Sequence, residues 1–521
     1  MNPNNTSFLK YKNNPIVKGT FILTFAGILT RIIGFFFRIF LSRCIGAEGI
    51  GIYQLIFPIQ AICYSLCTSG YELSISKLVA SAHAKNQKSS MQILKTGLMM
   101  SLSVSVIIAM FVYFNNEFIS TRILAEERCK NLIRWMSITI PLASIHSCIC
   151  GYYLGIKKAS VPAWSQLIEQ CTRVLSIWII IQICYEKGIA ITAETAVIGS
   201  FIGEIFSVLY TVYCISNADK QMKQTVIPLP KTNYFNKIFK LSLPLTLNRL
   251  MLSIIQSIQS ILIPFCLISY GLTSSEALSL YGICLGLVLP LIMFPGALVN
   301  SISLMLLPTI AEAEYSKDSS HISNTSDHTL KFCCLFGIYC AGIFVIFGNP
   351  IGVLLFNNAT SGTYICILGF LCPFLYITAT LASILNGLGY THITFIHSVV
   401  TTLIQLFCTI ILIPGIGIVG YLMGLLVSSI ISSVSHYISA KKYVKFHIDA
   451  WNTFLIPTLT FVIFHLGINF INQFINCHSP IQEFMKMGLE SCIITVIYLL
   501  VCHRCNYSKS SAKLHHIISE P

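Results

Sequence analysis

Apolar runs of about 20 residues, long enough to cross a bilayer as a helix, follow one another along the whole chain with short polar breaks between them. Their limits predict fourteen spans, near 17–42, 51–79, 91–113, 131–154, 161–183, 190–215, 238–266, 277–309, 330–356, 363–388, 393–414, 417–440, 452–471 and 485–502. The first run is too long for a signal peptide, holds Arg31 and Arg38, and lacks a small-residue cleavage site, so the mature chain is expected to begin near Met1.

Composition agrees with the pattern. Of 521 residues, 55% are apolar and only 10% charged, and the mean hydropathy is +0.76. A soluble fold of that make-up could not cover its own surface, whereas lipid asks for no polar cover. Lipid also offers no partner to peptide groups, so spans of this length must be helices. The expected class is an all-α integral membrane bundle.

The net charge of +14 is distributed by side. With the N-terminus in the cytoplasm, the loops on that side collect Lys10, Lys12 and Lys18, then Lys85, Lys88 and Lys95, Lys157 and Lys158, Lys220 to Lys240, Lys317 and Lys331, Lys441 to Lys445, and Arg504 to Lys513. That is about 21 of the 33 basic residues. The opposite side receives Arg43, Arg122, Arg128, Lys130, Arg134, Lys187 and Lys486, several of them beside Glu117, Glu126, Glu127, Glu186 and Glu483. Both termini are therefore expected in the cytoplasm, and the charge points to anionic lipid as partner, with no nucleic acid.

Most classes of chemistry find no support. The 21 cysteines lie scattered in apolar runs without metal-ligand spacing and read as small buried hydrophobes. No phosphate-binding glycine loop, nucleophile elbow or HExxH occurs, and the loops are too short for a soluble catalytic domain. The expectation is a protein that is not an enzyme, with no metal and no catalytic residue.

A weak internal repeat organises the spans. Tyr53 precedes Ser74-Ile75-Ser76 as Tyr281 precedes Ser301-Ile302-Ser303, and Pro141 to Gly155 resembles Pro373 to Gly387. Both offsets are about 230 residues, which is six spans, so the halves enter the membrane in the same sense. The expected architecture is two six-helix lobes in parallel pseudo-repeat around a central cavity, residues 1–218 and 219–445, with spans 13 and 14 and a cytoplasmic tail in 446–521.

Charges inside spans are costly and mark function. Arg31 lies about 18 Å beyond the cytoplasmic start of span 1 and Arg38 about 10 Å further; seven residues apart, they share a helix face, with Gly34 between them. Such a ladder suits a diphosphate, which accepts bidentate guanidinium bonds, and Arg249 beside Asn248 in span 7 could meet the same ligand. Arg38 has a second reading, snorkelling to the outer headgroups. Glu169 and Arg173, at i and i+4, read first as an intrahelical pair and second as a coupling site. Glu72 and Glu204 lack a partner at helical spacing and are candidates for a counter-ion role to Arg31 or Arg249 or for coupling to Na⁺ or H⁺. Gln256, Gln259, Asn300, Asn386 and Gln405 fit interhelical bonding or sugar contact equally.

The segments KGTFILTFAGILTRIIGFFFRIFLSRCIGAEGIGIYQLIFPI, SGYELSISKLVASAHAK, LPLTLNRLMLSIIQSIQSILIP and FPGALVNSISLMLLPTIAEAE closely resemble the stage V sporulation protein B group of polysaccharide flippases, in the multidrug/oligosaccharidyl-lipid/polysaccharide exporter superfamily. The resemblance covers nearly all of the chain and implies a flippase that carries an undecaprenyl-diphosphate-linked saccharide, a peptidoglycan precursor or related unit, across the cytoplasmic membrane in spore cortex or cell-wall synthesis. No resident cofactor is expected, beyond coupling to Na⁺ or H⁺. The Thr30, Arg31, Gly34 and Phe35 of span 1 match the TRxxGF-like residues of the neighbouring lipid II flippases, but those also carry an arginine shortly before the Phe-Pro of span 8. Here Leu289 to Met293 precede Phe294 and Pro295 with no positive charge, which leaves Arg249 as a substitute or a different substrate.

Two other classes remain in view. A cation-coupled multidrug exporter of the same superfamily would want an acidic, aromatic cavity, and a non-transporting scaffold would recruit cell-wall synthesis enzymes as partners.

Overall fold

The computed structural model describes residues 15–84, 89–223, 234–447, 449–472 and 480–518, and among them every regular element is a helix. Lys10, Lys12, Lys85, Lys88 and Lys231 of the topology argument lie outside the described residues. Thirteen helices are long and apolar enough to cross a bilayer, and fourteen when a pair bent by 46° is taken as one span. Large apolar side chains such as Phe111, Phe114, Leu209, Ile411 and Ile463 stand exposed on them, as a lipid-facing surface requires.

Two boundaries differ from the sequence reading. Spans 1 and 2 form one helical path from Ile22 to Ala82, through α1 (Pro15–Leu55), α2 (Phe57–Tyr64), a widened turn at Ser65–Ser69 and α3 (Gly70–Ala84). Two helices meet within α1 at Gly46, whose φ of 69° and ψ of −179° only glycine adopts cheaply. Span 8, expected as one run, breaks at Phe294 and Pro295, because proline supplies no N–H to the turn before it.

The chain then forms two compact units, up to Gly282 and from Ile283. The first unit continues with α4 (Ser90–Phe114), α5 (Cys129–Gly155), α6 (Ser160–Glu186), α7 (Ala193–Lys223), α8 (Tyr234–Ser269) and α9 (Ser274–Tyr281). Thr273 opens α9 with a reciprocal cap, its hydroxyl accepting from the Glu276 N–H while the Glu276 carboxylate accepts from the Thr273 N–H. The second unit comprises α10 (Leu289–Met293), α11 (Gly296–Tyr315), α12 (Ser319–Phe356), α13 (Ala359–Gly369), α14 (Leu371–Gly387), α15 (Thr391–Ile416), α16 (Ile418–Lys441), α17 (Ile456–Asn472) and α18 (Pro480–Ile518). The bent pair is α13 with α14.

Each unit contains the same helix seam. In the first, a Cβ at Gly151 would stand 2.5 Å from the Glu72 carbonyl oxygen, and one at Gly155 2.7 Å from that of Ser76 and 2.8 Å from Val79 Cβ. In the second, a Cβ at Gly387 would stand 2.9 Å from the Leu307 carbonyl oxygen and from Ile310 Cβ, and the Ser383 hydroxyl donates to the Ser303 carbonyl. These contacts recur at the offset of about 230 residues that the sequence repeat shows. Small residues let backbones close up where lipid supplies no hydrophobic drive. Around the seams lie the two cores, with Ile75, Val79, Ile93, Tyr152 and Ile238 in one and Ile310, Leu330, Ile384 and Leu385 in the other.

Within the first unit, α8 is tied to α2 and α3 by polar contacts. The Ser257 hydroxyl donates to the Pro58 carbonyl at 2.8 Å, the Ser65 and Ser253 hydroxyls meet at 2.6 Å, and Gly70 leaves room for Thr246.

Gly155→Val should lower thermal stability by an overpacking cost of about 1–3 kcal/mol. Gly27→Ala, where an added Cβ meets nothing within 4 Å, should leave it unchanged or slightly raised. Melting of the detergent-purified variants, read as loss of the monodisperse size-exclusion peak, checks both.

Candidate functional site

Four segments of the first unit converge on one cavity of about 380 Å³. The stretch from Tyr53 to Glu72 supplies Tyr53, Phe57, Gln60, Tyr64 and Glu72, α5 supplies His146, Ser147 and Cys150, α6 supplies Gln166, Glu169 and Arg173, and α7 supplies Ser200 and Glu204. Two glycines bring α6 and α7 close enough for this. A Cβ at Gly199 would sit 2.0 Å from Ile177 Cγ1, and one at Gly203 2.8 Å from the Glu169 carbonyl oxygen. Glu204, next to Gly203, is thereby carried up to Glu169.

The charges are paired among themselves. The Arg173 guanidinium donates to Glu169 across one helical turn, as the i, i+4 spacing predicts. Glu204, 8% exposed, finds its partner on another helix. Its Oε1 stands 3.1 Å from His146 Nδ1. The other ring nitrogen of His146 stands 3.0 Å from the Ser165 hydroxyl, and the Ser207 hydroxyl lies 3.3 Å from Nδ1 and 3.1 Å from Nε2. Glu72 accepts from the Ser147 hydroxyl at 3.0 Å, and the charge of Arg249 acts on it.

His146, Glu169 and Glu204 each offer one ligand atom, all within 4.8 Å of one another. The Arg173 guanidinium already on Glu169 opposes a divalent ion there, because it adds a positive charge within the same shell.

The residues singled out from sequence thus divide. Glu72, Glu169, Arg173 and Glu204 share the cavity. Arg31, Arg38, Asn248 and Arg249 do not line it: Arg31 is exposed and Arg38 partly buried on α1, and Asn248 and Arg249 are exposed on α8. Asn386 accepts from the Thr394 hydroxyl at 2.8 Å, an interhelical bond. His146 was missed from sequence, although one histidine in the middle of span 4 was a signal that an apolar helix does not need. The described cysteines are free thiols, most of them buried.

Charges beyond the spans pair with one another. Lys130 donates to Glu117 at 2.6 Å, and Arg128 bridges Glu126 and Glu48, both at 2.7 Å. The Lys130 ammonium holds the Glu117 carboxyl below its ordinary range.

Glu169→Ala should destabilise the protein by about 3–5 kcal/mol, since it strands Arg173 in a partly buried site. The double variant Glu169→Ala/Arg173→Ala should recover part of that loss, and a thermal-melting cycle over the four proteins reads the coupling.

Similarity to known proteins follows the same lines. A family described as polysaccharide biosynthesis proteins matches residues 16–314. The chain is 25% identical to stage V sporulation protein B of Bacillus subtilis (strain 168) over 438 residues, 82% of this chain and 83% of that one. It is 24% identical to the lipid II flippase MurJ of the same organism over 67% of this chain and 65% of the relative. Among solved structures, the lipid II flippase MurJ in an inward closed conformation superposes with a TM-score of 0.72 at 16% identity, covering 93% of this chain and 99% of that one. A multidrug resistance MATE family transporter of the MOP superfamily, inward-facing, gives 0.65 at 14% identity over 79% and 95%. The fold is therefore that of this class of multi-pass membrane proteins, and the family match spans more than half of the chain. The chain belongs to the family of polysaccharide biosynthesis proteins.

Proposed function

We propose that the protein is a flippase that moves an undecaprenyl-diphosphate-linked saccharide, a peptidoglycan precursor or related unit, across the cytoplasmic membrane by alternating access, in spore cortex or cell-wall synthesis. It breaks no covalent bond. The observation that carries this reading is Arg31, an exposed guanidinium about halfway along a membrane span, with no ion-pair partner among the described residues. A cation kept there costs several kcal/mol unless it is paired or faces water, and a diphosphate that enters such a watery chamber is an anion whose oxygens fit guanidinium forks. Arg38, Arg249 and Asn248 complete the proposed binding set. The family of polysaccharide biosynthesis proteins supports the saccharide class, and the relative named for stage V sporulation, similar over most of both chains, supports the sporulation setting.

Glu72, Glu169 and Glu204 take no part in holding the diphosphate in this reading, since like charges repel. They serve the driving cation, Na⁺ or H⁺. The termini face the cytoplasm, and cell-wall synthesis enzymes are the partners that would supply and consume the lipid.

One observation favours a second reading, a cation-coupled multidrug exporter. The cavity is acidic, is lined by Tyr53, Phe57 and Tyr64, and its volume lies within the range of small-molecule sites. Against it stands the internal pairing of Glu169 with Arg173 and of Glu204 with His146, which leaves little uncompensated charge to attract a drug cation.

Arg31→Ala should abolish complementation of a flippase-deficient strain while membrane insertion stays normal; full activity overturns the diphosphate role, and a shift in drug susceptibility on expression of the wild type favours the exporter. Alkaline phosphatase fused after Lys187 should be active and fused after Lys158 inactive, and the reverse pattern overturns the orientation.

A further inference from the structure

One polar side chain on α6 has no place in the cavity or in its ion pairs. Gln170 lies about 15 Å from the nearer end of α6, well inside the span, and is only partly exposed. Its carboxamide offers two N–H donors and an acceptor oxygen, yet it has no hydrogen-bond partner among the described residues. An amide at that depth is unfavourable until water or a ligand meets it.

The amide faces a gap on α1. The two helices pack along one another, and a Cβ placed on Gly34 would have Gln170 Oε1, at 4.0 Å, as its one neighbour within that distance. Packing against α6 therefore does not require a glycine, since an alanine methyl would make an ordinary contact, and alanine is the better helix former. The carbonyls around Gly34 are committed to α1 itself, which runs unbroken through this stretch, so Gln170 gains no interhelical bond there. What the missing side chain leaves is space between two guanidinium-bearing positions. Arg31 lies about 4.5 Å along the axis on one side of Gly34 and Arg38 about 6 Å on the other, and all three share one helix face. That face is turned toward α6 at Arg38 too, because the charge of Arg173, one turn beyond Gln170, acts on it.

We infer that Gln170 is a further binding residue for the diphosphate, donating a hydrogen bond to it at the level of Gly34 while Arg31 and Arg38 hold it from either side. The inference rests on the flippase reading and deepens it, by adding α6 to the binding set. A diphosphate is short compared with the spacing of the two arginines along α1, so an anion shared by both forks rests over Gly34. The donor that α6 presents there is the Gln170 amide. Being neutral, it gives the anion a directed hydrogen bond without a third positive charge, and so fixes where along the ladder the ligand rests. A carboxylate at the same place would instead take the guanidiniums for itself.

Titration of the purified full-length protein in detergent with undecaprenyl diphosphate, and with undecaprenol as the uncharged control, tests this through the dissociation constants. The wild type should bind the diphosphate and not the alcohol. Gln170→Leu should weaken diphosphate binding by about 10- to 100-fold, the worth of one hydrogen bond to a charged group, and should melt no lower than the wild type, since the amide it removes has no protein partner. Gln170→Glu should bind more weakly still, because its carboxylate repels the ligand and occupies the arginines. Gly34→Ala should also lose affinity without losing thermal stability, its methyl filling the space the ligand needs. A purely structural Gln170 predicts the reverse, a lower melting temperature with affinity intact. Should Gln170→Leu fail to elute as a monodisperse peak, Gln170→Asn, which draws the amide back by one methylene, replaces it with the same expected loss. Wild-type affinity in the Leu or Asn variant overturns the inference, as does equal affinity of the Glu and Leu variants; loss of binding in Arg31→Ala beside either result leaves the flippase reading standing. A wild type that binds the diphosphate no better than undecaprenol overturns both.

Discussion

Lipid gives a charge nothing to pair with, and the organisation of the first unit follows from that constraint. Glu169, Arg173, Glu204 and His146 lie on three helices and all turn toward one cavity, because each would be ruinous facing acyl chains. The pairing in turn sets how close those helices must come. Gly199 and Gly203 are small where α7 meets Ile177 and the Glu169 backbone, and a side chain at either would push Glu204 away from its neighbours.

The same logic of close approach holds each unit together. Gly151 and Gly155 lie on the carbonyls of Glu72 and Ser76, and Ser383 and Gly387 on those of Ser303 and Leu307. In lipid, dispersion and hydrogen bonding across such seams replace the drive to leave water. The first seam also fixes function-bearing groups, since Glu72 and His146 sit beside it on α3 and α5 and inherit their positions from it.

Two kinds of cation therefore coexist in one unit. Arg173 is locked to a carboxylate and serves the architecture of the cavity. Arg31 stands exposed with no such partner among the described residues, a charge at a depth where charges are rare. Fold likeness by itself would not distinguish a carrier of anionic lipid from an exporter of cations, so the distribution of paired and unpaired charge within the fold is what bears on the choice.

The sequence by itself determined the class, the number and rough limits of the spans, the parallel repeat and the Glu169–Arg173 pair, because each rests on hydropathy or on spacing within one helix. It also marked Glu72 and Glu204 as charges needing an explanation. The tertiary structure decided where span 8 breaks, that Glu72 is met by Ser147, and that Glu204 answers to His146, 58 residues away. Which helix faces which, and at what rotation, depends on small-residue contacts spread over the chain, so a partner on another helix leaves no periodic trace in the order of residues. Local spacing is written along the chain; the meeting of His146 with Glu204 exists only once α5, α6 and α7 have packed.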